Sequence, residues 1–279
     1  MRNIKTFVLM LVLMLLFSWV GDLLGGYEGM KMAFWIALGL NFISYFFSDT
    51  MVLKHYRAKE VKSSDTTGLY QIVQKLAETA HLPMPKVYII EENVPNAFAT
   101  GRNPAHAAVA ATSGLLKLMD KNEITGVLAH EMSHIKHYDI LTSSVAATFA
   151  SAIGMLGQFG RYQGISSNRR KNSGLSALLA VVVMPIAATI IQFAISRTRE
   201  YAADAGSAEL TGHPEWLISA LQKLESYAKQ KIMVRATPQT AHLFIINPLC
   251  AFSGGLSSLF STHPSTSKRI AYLKTLIKD

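Results

Sequence analysis

Asp120-Lys-Asn-Glu-Ile-Thr-Gly-Val-Leu-Ala-His-Glu-Met-Ser-His-Ile-Lys-His-Tyr-Asp139 carries a folding signal and a chemical one in the same twenty residues. Asp120 with Glu123 three positions later has the form of a capping box, which satisfies N–H groups that a helix start leaves orphaned. Ile124, Val127, Leu128, Met132 and Ile135 then recur at helical spacing as a stripe to be buried. The pattern predicts a helix over 120–139. On it, His130 and His134 stand one turn apart on one face, so both imidazoles can reach a single metal ion at about 2.0–2.1 Å. Glu131, one position on, points beside such an ion, where a general base takes a proton from an attacking water. The competing reading is an ordinary helix that happens to carry two histidines.

A second pair at the same spacing lies in Arg199-Glu200-Tyr-Ala-Ala-Asp204. One reading makes Glu200 the third metal ligand, leaving a fourth position for water as catalytic zinc requires. Asp204 would then hydrogen-bond the free ring nitrogen of a ligand histidine and fix its tautomer. The other reading pairs Glu200 with Arg197 or Arg199 at a membrane edge. Spacing alone leaves both open.

Working outward, the 279 residues are half hydrophobic and only 16% charged, against about a quarter charged in average soluble domains. Four apolar runs account for the difference: 6–21, 32–48, 140–160 and 172–196. A spanning helix needs roughly 17–25 apolar residues, which the first, second and fourth provide. The third is rich in Ala, Ser and Gly, a composition suited to helix–helix contact, and can span or dip into the membrane. The net charge of +9 gathers at the edges of these runs and forms no long polybasic tract. That distribution favours anionic lipid as the partner and excludes nucleic acid. Arg2 and Lys5 precede the first run, and Lys54, Arg57, Lys59 and Lys62 follow the second, which places the N-terminus and residues from 49 onward in the cytoplasm. Arg161, Arg169, Arg170 and Lys171 between the third and fourth runs disagree, unless those runs form a re-entrant hairpin. The single Cys250 excludes an intrachain disulfide framework and a cysteine-rich metal site.

These features divide the chain into two N-terminal transmembrane helices (1–48), a first part of a cytoplasmic domain with the His130–His134 helix (49–139), a transmembrane or re-entrant hairpin (140–196) and a second part with Glu200 (197–279). Residues 66–80 read as a helix and 85–90 and 107–112 as strands. Helices are also expected over 196–210, 214–229 and 268–278. The fold class is α+β, mainly helical, with about four transmembrane helices.

The His130-Glu-Met-Ser-His-Ile135 stretch with Asp139, the Arg199–Asp204 helix, Asn96-Ala-Phe-Ala-Thr-Gly101 and Ser261-Thr-His-Pro264 with Arg269-Ile270 occur in this order around apolar runs. The combination resembles the HtpX family of bacterial heat-shock membrane proteases, related to the CAAX prenyl proteases, over essentially the whole length. The resemblance implies a gluzincin-like zinc metalloprotease domain and one zinc ion per chain, held by His130, His134 and Glu200, with Glu131 as base. It further implies degradation of misfolded or damaged membrane proteins at the inner membrane. In gluzincin-like sites an edge strand beside the zinc helix pairs with extended substrate; Val109, Ala110 and Ala111 of the 107–112 segment are expected to form it, their small side chains admitting a peptide backbone. His263 is a candidate donor to the oxyanion, with a capping role before the last helix as the alternative. A metal transporter is the reading of a different class, and the near-absence of charged residues inside the apolar runs speaks against it.

Overall fold

The computed structural model describes residues 4–145, 197–230 and 264–277. It begins with α1 (Ile4–His55), which is helical except at Gly25 and Gly26. There the chain reverses, because Gly26 adopts φ 57°, ψ −151°, a region essentially closed to residues with a Cβ. The two arms lie side by side: Asn41 Nδ2 donates to the Met10 carbonyl at 3.2 Å, and Leu13 is buried beside Leu40. Two stretches, Thr6–Leu23 and Gly25–Phe47, are long and apolar enough to cross a membrane, and they leave many large apolar side chains exposed. Of the four expected spans, these two are found among the described residues. The fourth run, and the third beyond residue 145, lie outside them.

A four-stranded mixed sheet follows, built from β1 (Lys59–Val61), β2 (Lys86–Ile90), β3 (Ala97–Gly101) and β4 (Ala107–Thr112) in the order β1-β2-β4-β3. β2 and β4 are parallel, and the two outer pairs are antiparallel. Alternate residues separate two cores. Val87, Ala97, Val109 and Ala111 face α2 (Leu69–Ala80), α4 (Lys121–Lys136) and α6 (Pro214–Gln230). Ile90, Phe98, Ala108 and Ala110 face the end of α1, against Leu53 and Tyr56. The short α3 (Ser113–Leu118) caps the sheet, while α5 (Arg197–Thr211) and α7 (Thr266–Lys274) complete the helical layer. One core runs from Leu69 to Leu273, so the parts on either side of residues 146–196 fold together.

This topology corrects one expectation. The 107–112 segment is a strand, but not an edge: β4 pairs with β2 on one side and β3 on the other. All six of its residues are buried. Its small side chains serve the close approach of helices on both faces, the signature of a two-sided central strand. Val109, Ala110 and Ala111 therefore have no main-chain groups free for substrate. The edge beside α4 is β3. Asn96 O accepts from Thr112 N, which fixes Phe98 and Thr100 as the residues bonded to β4. By antiparallel alternation the main-chain groups of Ala97, Ala99 and Gly101 point away from the sheet.

Candidate metal centre

The capping box forms as its residues suggest. Asp120 accepts from the N–H groups of Asn122 and Glu123 at 2.8 and 2.9 Å, and Glu123 Oε2 accepts from Asp120 N at 2.9 Å. Glu123 also binds Ser219 and Lys223 of α6, tying the start of α4 to its neighbour. The other half of α4 packs against α5. Gly206 makes this approach possible, since a Cβ there would collide with the Ser133 side chain between the two histidines.

That packing brings Glu200 to His130 and His134. The two Nε2 atoms are 3.3 Å apart, His130 Nε2 is 3.7 Å from Glu200 Oε2, and His134 Nε2 is 3.6 Å from Glu200 Oε1. Ligands at about 2.0–2.1 Å around a tetrahedral centre stand about 3.3–3.4 Å from one another. Taken as one ligand atom from each, the three side chains lie within 4.8 Å of one another, close enough to share one metal ion. Of its alternative partners, Arg199 turns to Asp139, with Nη1 donating to Oδ1 at 3.1 Å.

Each histidine is backed by a carboxylate, and each carboxylate by a guanidinium. His130 Nδ1 is 3.0 Å from Asp204 Oδ1. Asp204 in turn accepts a two-pronged grip from Arg269, whose Nη2 and Nε donate at 2.6 and 3.0 Å. His134 Nδ1 lies 3.3 Å from Asp139 Oδ2, and Asp139 accepts from Arg199. Both carboxylates orient the ring whose other nitrogen faces the site. Asp139 and the arginine roles were not read from the sequence. Positions 134 and 139 do not share a helical face; they meet because α4 ends at Lys136 and Tyr138 turns with φ 63°. Arg269 stands 65 residues from Asp204, beyond any local pattern.

Burial governs the electrostatics. Glu131, Glu200, Asp139, Asp204 and Arg269 are all buried, and Arg199 is largely so. Four carboxylates against two guanidiniums leave two negative charges when the histidines are neutral, which a divalent cation balances. Burial alone would depress the His134 imidazole, but the hydrogen bond to Asp139 and the carboxylates of Glu200 and Glu131 outweigh it. They raise His134 to about 9 in the metal-free site. Asp204 is held below the usual carboxylate range: its burial acts upward, and Arg269 and His130 more than offset it.

Glu131 stands beside the triangle, with Oε2 accepting the Ala99 N–H of β3 at 3.0 Å. The base is therefore in direct contact with β3, the strand that ends the sheet on this side among the described residues. His263 lies outside the described residues.

Comparisons with known proteins give the family. The sequence profile of peptidase family M48 matches residues 63–277. A protease HtpX homolog of Campylobacter hominis is 58% identical over 279 residues, covering 99% of this chain and 99% of that protein. The homologs of Campylobacter curvus and of a Sulfurovum species are 60% and 54% identical, over 99% of this chain and 98% and 100% of theirs. Among solved structures, Ste24p of S. mikatae superposes with a TM-score of 0.55 at 18% identity, over 97% of this chain; the chain spans 65% of that protein's length. A shared fold at that distance, a profile over most of the chain and relatives matching end to end lead to one assignment: the chain belongs to peptidase family M48.

Proposed function

We propose that this protein is a membrane-embedded zinc endopeptidase in which His130, His134 and Glu200 hold the metal and Glu131 is the general base. The observation that carries the reading is the cluster of His130, His134 and Glu200, whose ligand atoms, one from each, lie within 4.8 Å of one another, with the Glu131 carboxylate beside it. Two imidazoles, one carboxylate and an open fourth position are a catalytic zinc donor set. Zinc bound there would polarise the scissile carbonyl and lower the pKa of the attacking water towards about 7.

The chain's own residues do the rest. β3 receives the substrate as an added strand through the outward groups of Ala97, Ala99 and Gly101. This places the scissile bond beside Glu131, which takes the proton of the attacking water and delivers it to the leaving amine. Asp204 and Asp139 hold His130 and His134 in the tautomer that presents Nε2 to the site. His263 donates to the oxyanion. Misfolded or damaged membrane proteins are the substrate class, because the end of α1, a few residues past its second span, packs against the sheet that carries β3. The charge distribution supports an inner-membrane location with the protease domain in the cytoplasm.

The test is Glu131→Gln. It should retain one zinc per chain by metal analysis while casein hydrolysis drops by about 10²–10⁴-fold. Undiminished hydrolysis would overturn the role of Glu131, and zinc-free active protein would overturn the metal.

A further inference from the structure

Among the described residues, the site is fastened to the two N-terminal spans by two short routes, and both set its height. Along the first, Asp139, in contact with His134, starts a helical segment over residues 139–145. Three residues on, Thr142 shares a buried 2.7 Å hydrogen bond with Thr6, the first residue of the first span. At 1.5 Å per residue the metal ligands' support is about 4–5 Å from that level. Along the second route, β3 passes from Ala99, at the base Glu131, to Arg102, whose guanidinium lies over the Phe46 ring at 5.5 Å. Phe46 is the penultimate residue of the second span. Three strand residues cover at most about 10 Å. A 2.9 Å hydrogen bond between Thr100 and Ser144 joins the two routes. Phe98, packed near Tyr56 at the foot of α1, braces the strand from the other face.

From these contacts we infer that the cleft stands at a fixed height, about 5–10 Å above the plane of the span ends, and selects extended segments emerging directly from lipid. The inference rests on the proteolytic reading above and adds a rule of position to it: distance from the bilayer, more than side-chain sequence, chooses the bond. A strand added to β3 has one end led into the membrane surface at Gly101–Arg102, so a segment anchored there is aligned without further ordering. A free peptide must lose that freedom on binding.

The test uses the full-length protein in vesicles of phosphatidylethanolamine and phosphatidylglycerol. Its substrates are single-span proteins whose extramembrane tail is one repeated tetrapeptide, lengthened stepwise, with the same tail as a free peptide. Mass spectrometry of the products is expected to place the cuts within roughly the first six residues from the span, whatever the tail length. Anchored tails should be cut at least about tenfold faster than the free peptide. Cuts spread evenly along long tails, or equal rates for free and anchored tails, would overturn the inference. Casein, assayed beside Glu131→Gln, separates the two failures. Glu131-dependent casein cleavage with scattered tail cuts leaves the proteolytic reading intact and overturns only the positional rule. Absence of any Glu131-dependent cleavage overturns both.

Discussion

At the residue scale, the centre depends on charges that are tolerable only together. Asp204 is fully buried and gripped by Arg269. Removing one partner of such a pair costs about 3–5 kcal/mol, because the other charge stays buried without compensation. Arg269→Ala should therefore lower stability by that order and zinc occupancy with it, while Arg269→Lys, lacking the planar fork, restores only part. Thermal melts with metal analysis on both variants check this. Asp204→Asn leaves the buried Arg269 charge uncompensated in the same way, and also weakens metal affinity by about 10–100-fold through the orientation of His130, measurable by chelator competition. The raised pKa of His134 has a definite sign. In the metal-free protein its protonated ring stabilises the fold fully below about pH 6.5, and this contribution is lost as pH rises through about 9. Metal binding near neutral pH must then expel about one proton, falling towards none above about pH 9. Calorimetry in buffers of different ionisation enthalpy reads that proton directly; no release at pH 7 would contradict the protonated ring.

At the scale of elements, the decisive contact is α4 against α5. Gly206 lies where any Cβ would strike Ser133, between His130 and His134 on the opposite helix. Gly206→Ala should push Glu200 away from the histidines and cost about 1–3 kcal/mol in overpacking. Zinc occupancy should fall more steeply than helical content by circular dichroism. The edge strand gives a complementary test. Ala99 N–H points out of the sheet to Glu131, so proline at that position breaks no ladder bond. Ala99→Pro should fold, yet raise KM, by removing the N–H that Glu131 accepts in the free protein and that the added strand takes over on binding. An unchanged KM would argue against substrate pairing on β3.

At the scale of the molecule, a single core unites residues before and after the 146–196 segment, and the metal triangle takes ligands from both sides of it. Assembly of the site and folding of the extramembrane domain are therefore one event. A metal that binds only the folded state at a hundred times its Kd adds about 2.7 kcal/mol. Chelation should lower the melting temperature of the whole extramembrane domain in a single step. Separate melting of the two parts would contradict the shared core.

Much of this was legible in local pattern. The capping box at Asp120 and Glu123, the His130–His134 face, the Glu200–Asp204 face, the helices near 69–80 and 214–230 and the two N-terminal spans all follow from periods of 3.6 residues or from apolar length, which any chain shows without knowing its partners. β1, α3 and the strand character of 97–101 were not foreseen, because short elements carry too few residues for a period to emerge. The edge was misassigned for a related reason. Ala107–Thr112 is small and apolar whether a peptide or a helix covers it, and strand order is a property of pairing between distant segments. The sequence by itself determined which side chains can bind a metal and which helices present them. Only the tertiary structure decided that Asp139 and Arg269 support them, that β3 and not β4 ends the described sheet, and how near the site stands to the N-terminal spans. Those outcomes depend on contacts between residues far apart in the chain, created by packing and absent from local spacing.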